Sequence, residues 1–274
     1  MPHSRYRDVL PLFINRLKLS RVVTIQGCRQ SGKSFFAKRI LTKELPNSHY
    51  TTFDSLSEAD FAEKNPETFL HSYSKNLPLI IDEAQKVPVI FDAVKLRVDE
   101  NPRPGQYVLL GSTEFNKLLK IHEALTGRMS RIRLFSLNIA EANKKKLSNS
   151  PIENLFHEKP RFTRDVVLKH LERGGFPGIF YVHSKGAFED LLRDWIDLTV
   201  QRDLNQFPKI KVDSFLAFEV LRSLATVEEP TSSEVARVLS RDTRVIQRIL
   251  NLLETLFVVH KLLPHPLGRP AAPI

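Results

Sequence analysis

Eight residues, Gly27-Cys28-Arg29-Gln30-Ser31-Gly32-Lys33-Ser34, fit the pattern G-x-x-x-x-G-K-[ST] without a mismatch. Their flanks make the match structural as well as textual. Val22-Val23-Thr24-Ile25 is a short β-branched run that predicts a buried strand. Phe35-Phe36-Ala37-Lys38-Arg39-Ile40-Leu41 predicts the first turns of a helix. A loop joining a strand to a helix can aim successive backbone N–H groups, and the positive end of the helix, at a β-phosphate. Gly27 to Ser34, together with Phe35, are therefore the expected nucleotide-binding residues. Lys33 is expected on the β/γ-phosphate oxygens and Ser34 on Mg²⁺. The implied cofactors are ATP and Mg²⁺.

About fifty residues later, Leu79-Ile80-Ile81-Asp82-Glu83 is an apolar run ending in two adjacent carboxylates. At a strand tip beside the loop, Asp82 is placed to hold Mg²⁺, and Glu83 to orient and deprotonate a water. A base at position 83 favours hydrolysis to ADP and phosphate over transfer to another acceptor. Tyr107-Val108-Leu109-Leu110-Gly111 predicts a further strand, followed by Ser112-Thr113, with Ser112 the expected polar contact to a γ-phosphate.

Glu123-Ala124-Leu125-Thr126-Gly127-Arg128 reads as a helix stopped by glycine and followed by an arginine. Two readings stand for Arg128. It is an arginine finger acting on a neighbouring subunit's nucleotide, or an ordinary arginine after a C-capping glycine. Arg131 and Arg133 compete for the first role. The finger reading implies a homo-oligomer.

Strands expected at Tyr50–Asp54 and Ile132–Phe135, and a helix over 88–98, complete an alternation of strands and helices through residue 135. That alternation predicts an α/β fold, a parallel sheet covered by helices, with a further strand between the loop strand and the Asp82 strand. Residues 1–140 are expected to form this ATP-binding core, 141–210 a helical lid or connector, and 211–274 a winged helix-turn-helix-like domain. Lys144 to Pro151 reads as a linker or flexible loop, or as a basic contact patch, and Ala187 to Leu204 as one amphipathic helix. Arg202-Asp203 near its end is read either as a structural ion pair or as a reporter of nucleotide state. Helices are expected at 215–224, 233–239 and, with Asp242 as cap, 243–253; a wing strand is expected at Phe257–Lys261. On the third helix Val245, Ile246, Ile249, Leu250 and Leu253 should face the core and Arg244, Gln247 and Arg248 the outside.

Charge sharpens the partner classes. The chain of 274 residues carries a formal +10, distributed as +8 over residues 1–49, −5 over 50–100, +6 over 101–150 and +1 over the rest. The basic stretches surround the expected triphosphate site and a subunit edge, whereas 211–274 carries only +1. DNA binding is therefore the less favoured partner reading, behind an unidentified protein client. No run approaches the roughly twenty apolar residues of a membrane span, and residues 1–5 lack a signal-peptide core. One cysteine, Cys28, fits a reducing compartment, so a cytoplasmic protein without a membrane partner is expected.

Taken in order, Arg29-Gln30, Asp82-Glu83-Ala84-Gln85-Lys86-Val87-Pro88, Gly111-Ser112, Gly127-Arg128, Gly174-Gly175-Phe176-Pro177 and Arg202-Asp203-Leu204 resemble the AAA-type ATPases of bacteria and archaea. The resemblance is to those members that carry a helical, winged-helix-like C-terminal domain of unknown function, and it covers roughly residues 5–265. It implies an AAA-like core followed by a helical lid, with no established substrate. Gly178 departs from the acidic residue that usually follows Gly-Gly-Phe-Pro. Members also continue past position 274 into a basic-aromatic strand region, so the chain reads as truncated at its C-terminus.

Overall fold

The structure, a computed structural model, describes residues 5–115, 125, 127–145, 162–206, 212–228 and 230–262. The chain divides into two compact units, Met1–Val182 and His183–Ile274.

The first unit is built on five parallel strands: β1 (Val22–Gln26), β2 (His49–Thr52), β3 (Leu79–Asp82), β4 (Tyr107–Gly111) and β5 (Met129–Arg133). Their order across the sheet is β2-β3-β4-β1-β5. The expected intervening strand is thus β4, which pairs with β1 from Val22↔Tyr107 to Gln26↔Gly111 and with β3 from Leu79↔Tyr107 to Ile81↔Leu109.

The central strands read as continuous apolar runs because both of their faces are covered. Side chains alternate between two cores with the period of a strand. Val22, Leu79, Ile81, Tyr107 and Leu109 join one core, with Phe69, Phe91 and Val94 from the helices above. Val23, Ile25, Ile80, Val108 and Leu110 join the other, with Phe13, Leu17, Phe36 and Leu41. Helix α1 (Leu10–Leu19), with proline in its first turn, buries Phe13 and Leu17, four residues apart on one face. The helix opening at Lys33, labelled α2, is α-helical at Lys33–Phe35, widens to π at Phe36–Leu41 and returns to α at Thr42–Glu44. On the opposite face lie α3 (Leu56–Lys64), α4 (Pro66–Ser72) and α5 (Val89–Glu100). This is an α/β sheet of the P-loop type.

Beyond β5, α6 (Ile139–Ala142) starts with a reciprocal capping box between Asn138 and Glu141. Helix α7 (Arg164–Arg173) ends at Gly174. The boundary at 182/183 falls inside the connector expected over 141–210. Leu137, Ala142, Phe180 and Tyr181 share a small core, which ties the 175–182 turn to the sheet unit.

The second unit is helical: α8 (Lys185–Leu198), running on through a π turn (Thr199–Asp203) and a 3₁₀ turn (Leu204–Gln206), then α9 (Ser214–Thr226), α10 (Ser232–Val238) and α11 (Thr243–Thr255). Asp213, Thr231 and Asp242 each cap the helix that follows by accepting from its backbone N–H groups. Ile246, Ile249, Leu252 and Leu253 bury α11 against Val220 and Val235.

Three expectations are corrected. The strand over 132–135 begins earlier, at Met129, and Phe135 is exposed, because pairing with β1 runs from Val22↔Met129 and ends at Arg133. Phe257–Lys261 forms no strand; Phe257 turns the chain with φ 60° directly after α11, and no described strand is there to pair with it. Val245 is exposed, since the buried stripe of α11 starts one residue later, at Ile246. Residues 116–124, 126, 146–161 and 263–274 lie outside the described residues. With them lie half of the expected 123–128 segment, most of the Lys144–Pro151 linker and the C-terminal run.

Candidate functional site

Gln26 ends β1, and the chain turns at once into the glycine loop. Gly27 tolerates no side chain, since a Cβ there would lie 2.1 Å from the Leu134 carbonyl oxygen. Gln30 and Gly32 both have left-handed backbones, φ 63° and 93°, which bend the loop over the start of α2. Lys33 is buried, and its Nζ donates to the carbonyls of Gly27 and Cys28, 2.8 Å each, so the ammonium spans the loop. Burial lowers the Lys33 pKa, opposed by the negative charges of Glu83 first and Asp82 further down. Ser31 Oγ is buried with no hydrogen-bond partner among the described residues, an orphaned polar atom inside the loop. The Ser34 hydroxyl is exposed on the first turn of the helix. A cradle closed to side chains, a buried cation and a free hydroxyl fit a nucleoside triphosphate with its metal.

The acidic pair stands at the tip of β3. Asp82 is buried; its Oδ2 accepts from the Tyr50 hydroxyl at 2.9 Å and its Oδ1 from the Glu83 backbone N–H at 3.0 Å. Desolvation, reinforced by the Asp82 charge, pushes the Tyr50 pKa up, which keeps that phenol a donor. Glu83 takes a left-handed conformation, φ 53°, that ends the strand. Ser112, just after β4, donates from Oγ to Glu83 Oε2 at 3.2 Å. Lys33, Ser34, Asp82, Glu83 and Ser112 thus gather at the C-terminal ends of β1, β3 and β4, where open parallel sheets bind ligands.

A cavity of roughly 730 Å³ opens there, lined by Arg29, Gln30, Gly32, Lys33, Ser34, Phe35 and Glu83. Its other wall is one that sequence reading did not assign to the site: Arg5, Arg7, Leu137, Pro177, Gly178, Tyr181 and Val182. The Gly-Gly-Phe-Pro run packs against the loop because Gly175 lets the chain approach. A Cβ there would meet the Leu137 carbonyl oxygen at 2.2 Å, and the Gly175 carbonyl accepts from Leu137 N–H at 2.7 Å. Arg5 donates from Nε to the Tyr181 hydroxyl at 3.0 Å, and its guanidinium lies 4.6 Å from the Tyr181 ring centre.

Arg7 braces the loop from behind. Nη1 donates to the Ser31 carbonyl at 3.0 Å, Nη2 to the Phe135 carbonyl at 2.6 Å, and Nε lies 3.2 Å from Glu141 Oε1. Both partners are buried, with side-chain exposures of 6% and 4%. Glu141 is held in turn by the backbone N–H groups of Asp8 and Asn138, at 2.7 and 3.1 Å. Removing one partner of such a pair strands a buried charge. Arg7→Ala is expected to lower unfolding stability by about 3–5 kcal/mol in urea titrations. Replacing Arg7 and Glu141 together by apolar residues should recover part of that loss.

Arg128 is not brought to this site. It precedes β5 at the N-terminal edge of the sheet, roughly 15 Å from the loop at a strand rise of ~3.3 Å per residue. There it forms a fork with Asp99, Nε–Oδ1 2.5 Å and Nη2–Oδ2 2.8 Å. Arg133 stands at the opposite, loop end of the same strand, paired in register with Gln26. Cys28 is half-buried, and burial raises its thiol pKa against the opposing charge of Lys33.

Comparison with known families agrees with this geometry. Residues 19–143 match an AAA domain. That stretch of the chain is similar to an AAA domain. The matched boundaries enclose the loop, Asp82, Glu83 and Ser112. Residues 164–268 match a domain of unknown function (DUF8612), in keeping with the C-terminal part expected beside an AAA-type core.

Two curated relatives, uncharacterized proteins Mb2031c of Mycobacterium bovis and Rv2008c of Mycobacterium tuberculosis, are each 25% identical over 260 residues. Those alignments cover 94% of this chain and 53% of each relative, so the chain spans about half the length of the curated relatives it matches. A solved structure, AMPPCP-bound DnaA from Aquifex aeolicus, aligns with a TM-score of 0.43 at 15% identity over 90% of this chain and 85% of that one. The parallel sheet itself, not that alignment, carries the fold assignment. Among the described residues no helix is long and apolar enough to cross a membrane.

Proposed function

We propose that the AAA domain binds ATP with Mg²⁺ and hydrolyses it to ADP and phosphate, and that nucleotide state is coupled to the helical second unit. The carrying observation is that Glu83 lines the same cavity as Lys33, with Ser112 bonded to its carboxylate. The loop N–H groups and Lys33 would hold the phosphates, while Ser34 and Asp82 would hold Mg²⁺, which would supply positive charge to offset that of the phosphates. Glu83 accepts the proton of the water that attacks the γ-phosphorus, and with nucleotide bound the one Ser112 hydroxyl proton turns from Glu83 to a γ-oxygen. Arg128 acts in trans, which makes the active form an oligomer. The protein works in the cytoplasm on a protein client. Phosphate release from ATP by the purified chain, measured with Mg²⁺ and after chelation, tests the reading: turnover should vanish without the metal. Mg²⁺-dependent ATP binding with no phosphate release at any protein concentration would reduce the protein to a nucleotide-binding module.

A second reading, in which ATP licenses duplex DNA binding, draws on Arg244, Gln247 and Arg248, all exposed on α11. It requires an affinity that falls with salt by a log–log slope of about 0.9 per phosphate contact. Equal affinity with and without ATP would remove it.

A further inference from the structure

We propose that Gln85 is a positioning residue for this hydrolysis, its single amide nitrogen fixing the Glu83 carboxylate and the Ser112 hydroxyl against each other. The inference rests on the ATPase reading above and adds a residue to that site. Gln85 Nε2 donates to Glu83 Oε2 and, at 3.2 Å, to Ser112 Oγ. Ser112 Oγ donates in turn to the same Glu83 oxygen, at 3.2 Å, closing a three-membered ring of hydrogen bonds. The base on β3 and the polar side chain after β4 therefore share one donor.

The chemistry of position 85 is restrictive. A primary amide places two N–H donors on one neutral atom, so it can hold a carboxylate and a hydroxyl together without neutralising the base. A lysine there would pair with Glu83, and a carboxylate would repel it. The opposite amide orientation would set a carbonyl oxygen against Glu83, so the donor assignment follows from the partner. Two backbone features deliver the side chain. Glu83 at φ 53° ends β3, and the 3₁₀ turn Ala84–Lys86, anchored by buried Ala84, brings Gln85 back beside it. Gly111 supplies the room, since a Cβ on it would lie 2.6 Å from Gln85 Oε1 and 2.3 Å from Phe115 Cε1. The amide oxygen is buried there with no hydrogen-bond partner among the described residues. An unsatisfied buried acceptor is costly. The fold accepts that cost in order to hold the nitrogen where it is.

The test uses the full chain and four variants: Gln85→Ala, Gln85→Glu, Glu83→Gln and Gln85→Ala combined with Glu83→Gln. In Gln85→Ala kcat should fall about 10–100-fold, the range for a base displaced by about an ångström. ATP affinity, measured by titration, should stay within about twofold, because the main phosphate-holding groups, the loop N–H groups and Lys33, are not among the bonded partners of the Gln85 amide. Gln85→Glu keeps the shape, loses the donor and adds repulsion, so it should be slower than Gln85→Ala. In single-turnover reactions with excess protein, adding Gln85→Ala to Glu83→Gln should cost nothing further, since Gln85 acts through Glu83. The assignment is overturned by a wild-type kcat in Gln85→Ala, by a parallel loss of ATP affinity, or by additive losses in the double variant. A wild-type chain that never hydrolyses ATP would remove the ATPase reading itself, an outcome distinct from an active wild type indifferent to Gln85.

Discussion

Lys33→Ala is expected to abolish tight ATP binding, while Glu83→Gln binds ATP as the parent does and scarcely turns it over. The two residues stand at the same cavity, and on the proposed reading they act at different points of the reaction. Lys33 carries a buried ammonium across the glycine loop, where it would meet phosphate charge already in the ground state. Its removal should cost about 1.5–3 kcal/mol of binding, the range for hydrogen bonds to a charged group, or about 10–150-fold in Kd. Glu83 contributes when a proton leaves the attacking water, so its amide variant should lose roughly 10²–10⁴-fold in kcat with little change in affinity. Nucleotide titration followed by single-turnover phosphate release separates the two. Equal loss of affinity in both variants would defeat this division of roles.

Arg128→Ala should lower turnover on the order of 10³-fold at high protein concentration and leave ATP affinity nearly unchanged, if Arg128 serves a neighbour's nucleotide. The geometry restricts the options. At the N-terminal edge of the sheet, Arg128 is a sheet's length from its own phosphate loop, and its guanidinium is forked onto Asp99. A finger from that edge must reach another copy. Activity per subunit should therefore rise with protein concentration, and Arg128→Ala should erase the rise. Mixing Arg128→Ala with Glu83→Gln should restore part of the activity, because one interface then pairs an intact base with an intact arginine. Concentration-independent turnover and an inactive mixture would leave Arg128 as the anchor of Asp99 and nothing more.

The sheet, and the gathering of the glycine loop and the two carboxylates at one edge of it, were legible in the residue order. Buried strands announce themselves as β-branched runs, and a phosphate loop works through backbone N–H groups whose path is set by Gly27 and Gly32, a few positions apart in sequence. Asp82 and Glu83 were legible for the same reason, since a strand tip in a parallel sheet can only sit at the C-terminal edge. Boundaries were less so. β5 began three residues early because its extent depends on pairing with β1, and its own residues Ser130 and Arg131 have little strand character. The expected wing at 257–261 failed because a strand needs a partner, which no local pattern supplies.

What tertiary structure alone decided is everything that joins distant segments. Arg7 reaches Ser31, Phe135 and Glu141 across 24, 128 and 134 positions, and the 177–182 turn becomes a wall of the cavity only because Gly175 packs on Leu137. The Gln85–Ser112–Glu83 ring likewise joins two strands that are neighbours in space and 27 residues apart in the chain. Glycine spacing and strand-tip carboxylates write local backbone geometry into the sequence. A buried ion pair or a shared amide donor has no local pattern, because its energy arises only when the folded chain excludes water from both partners at once.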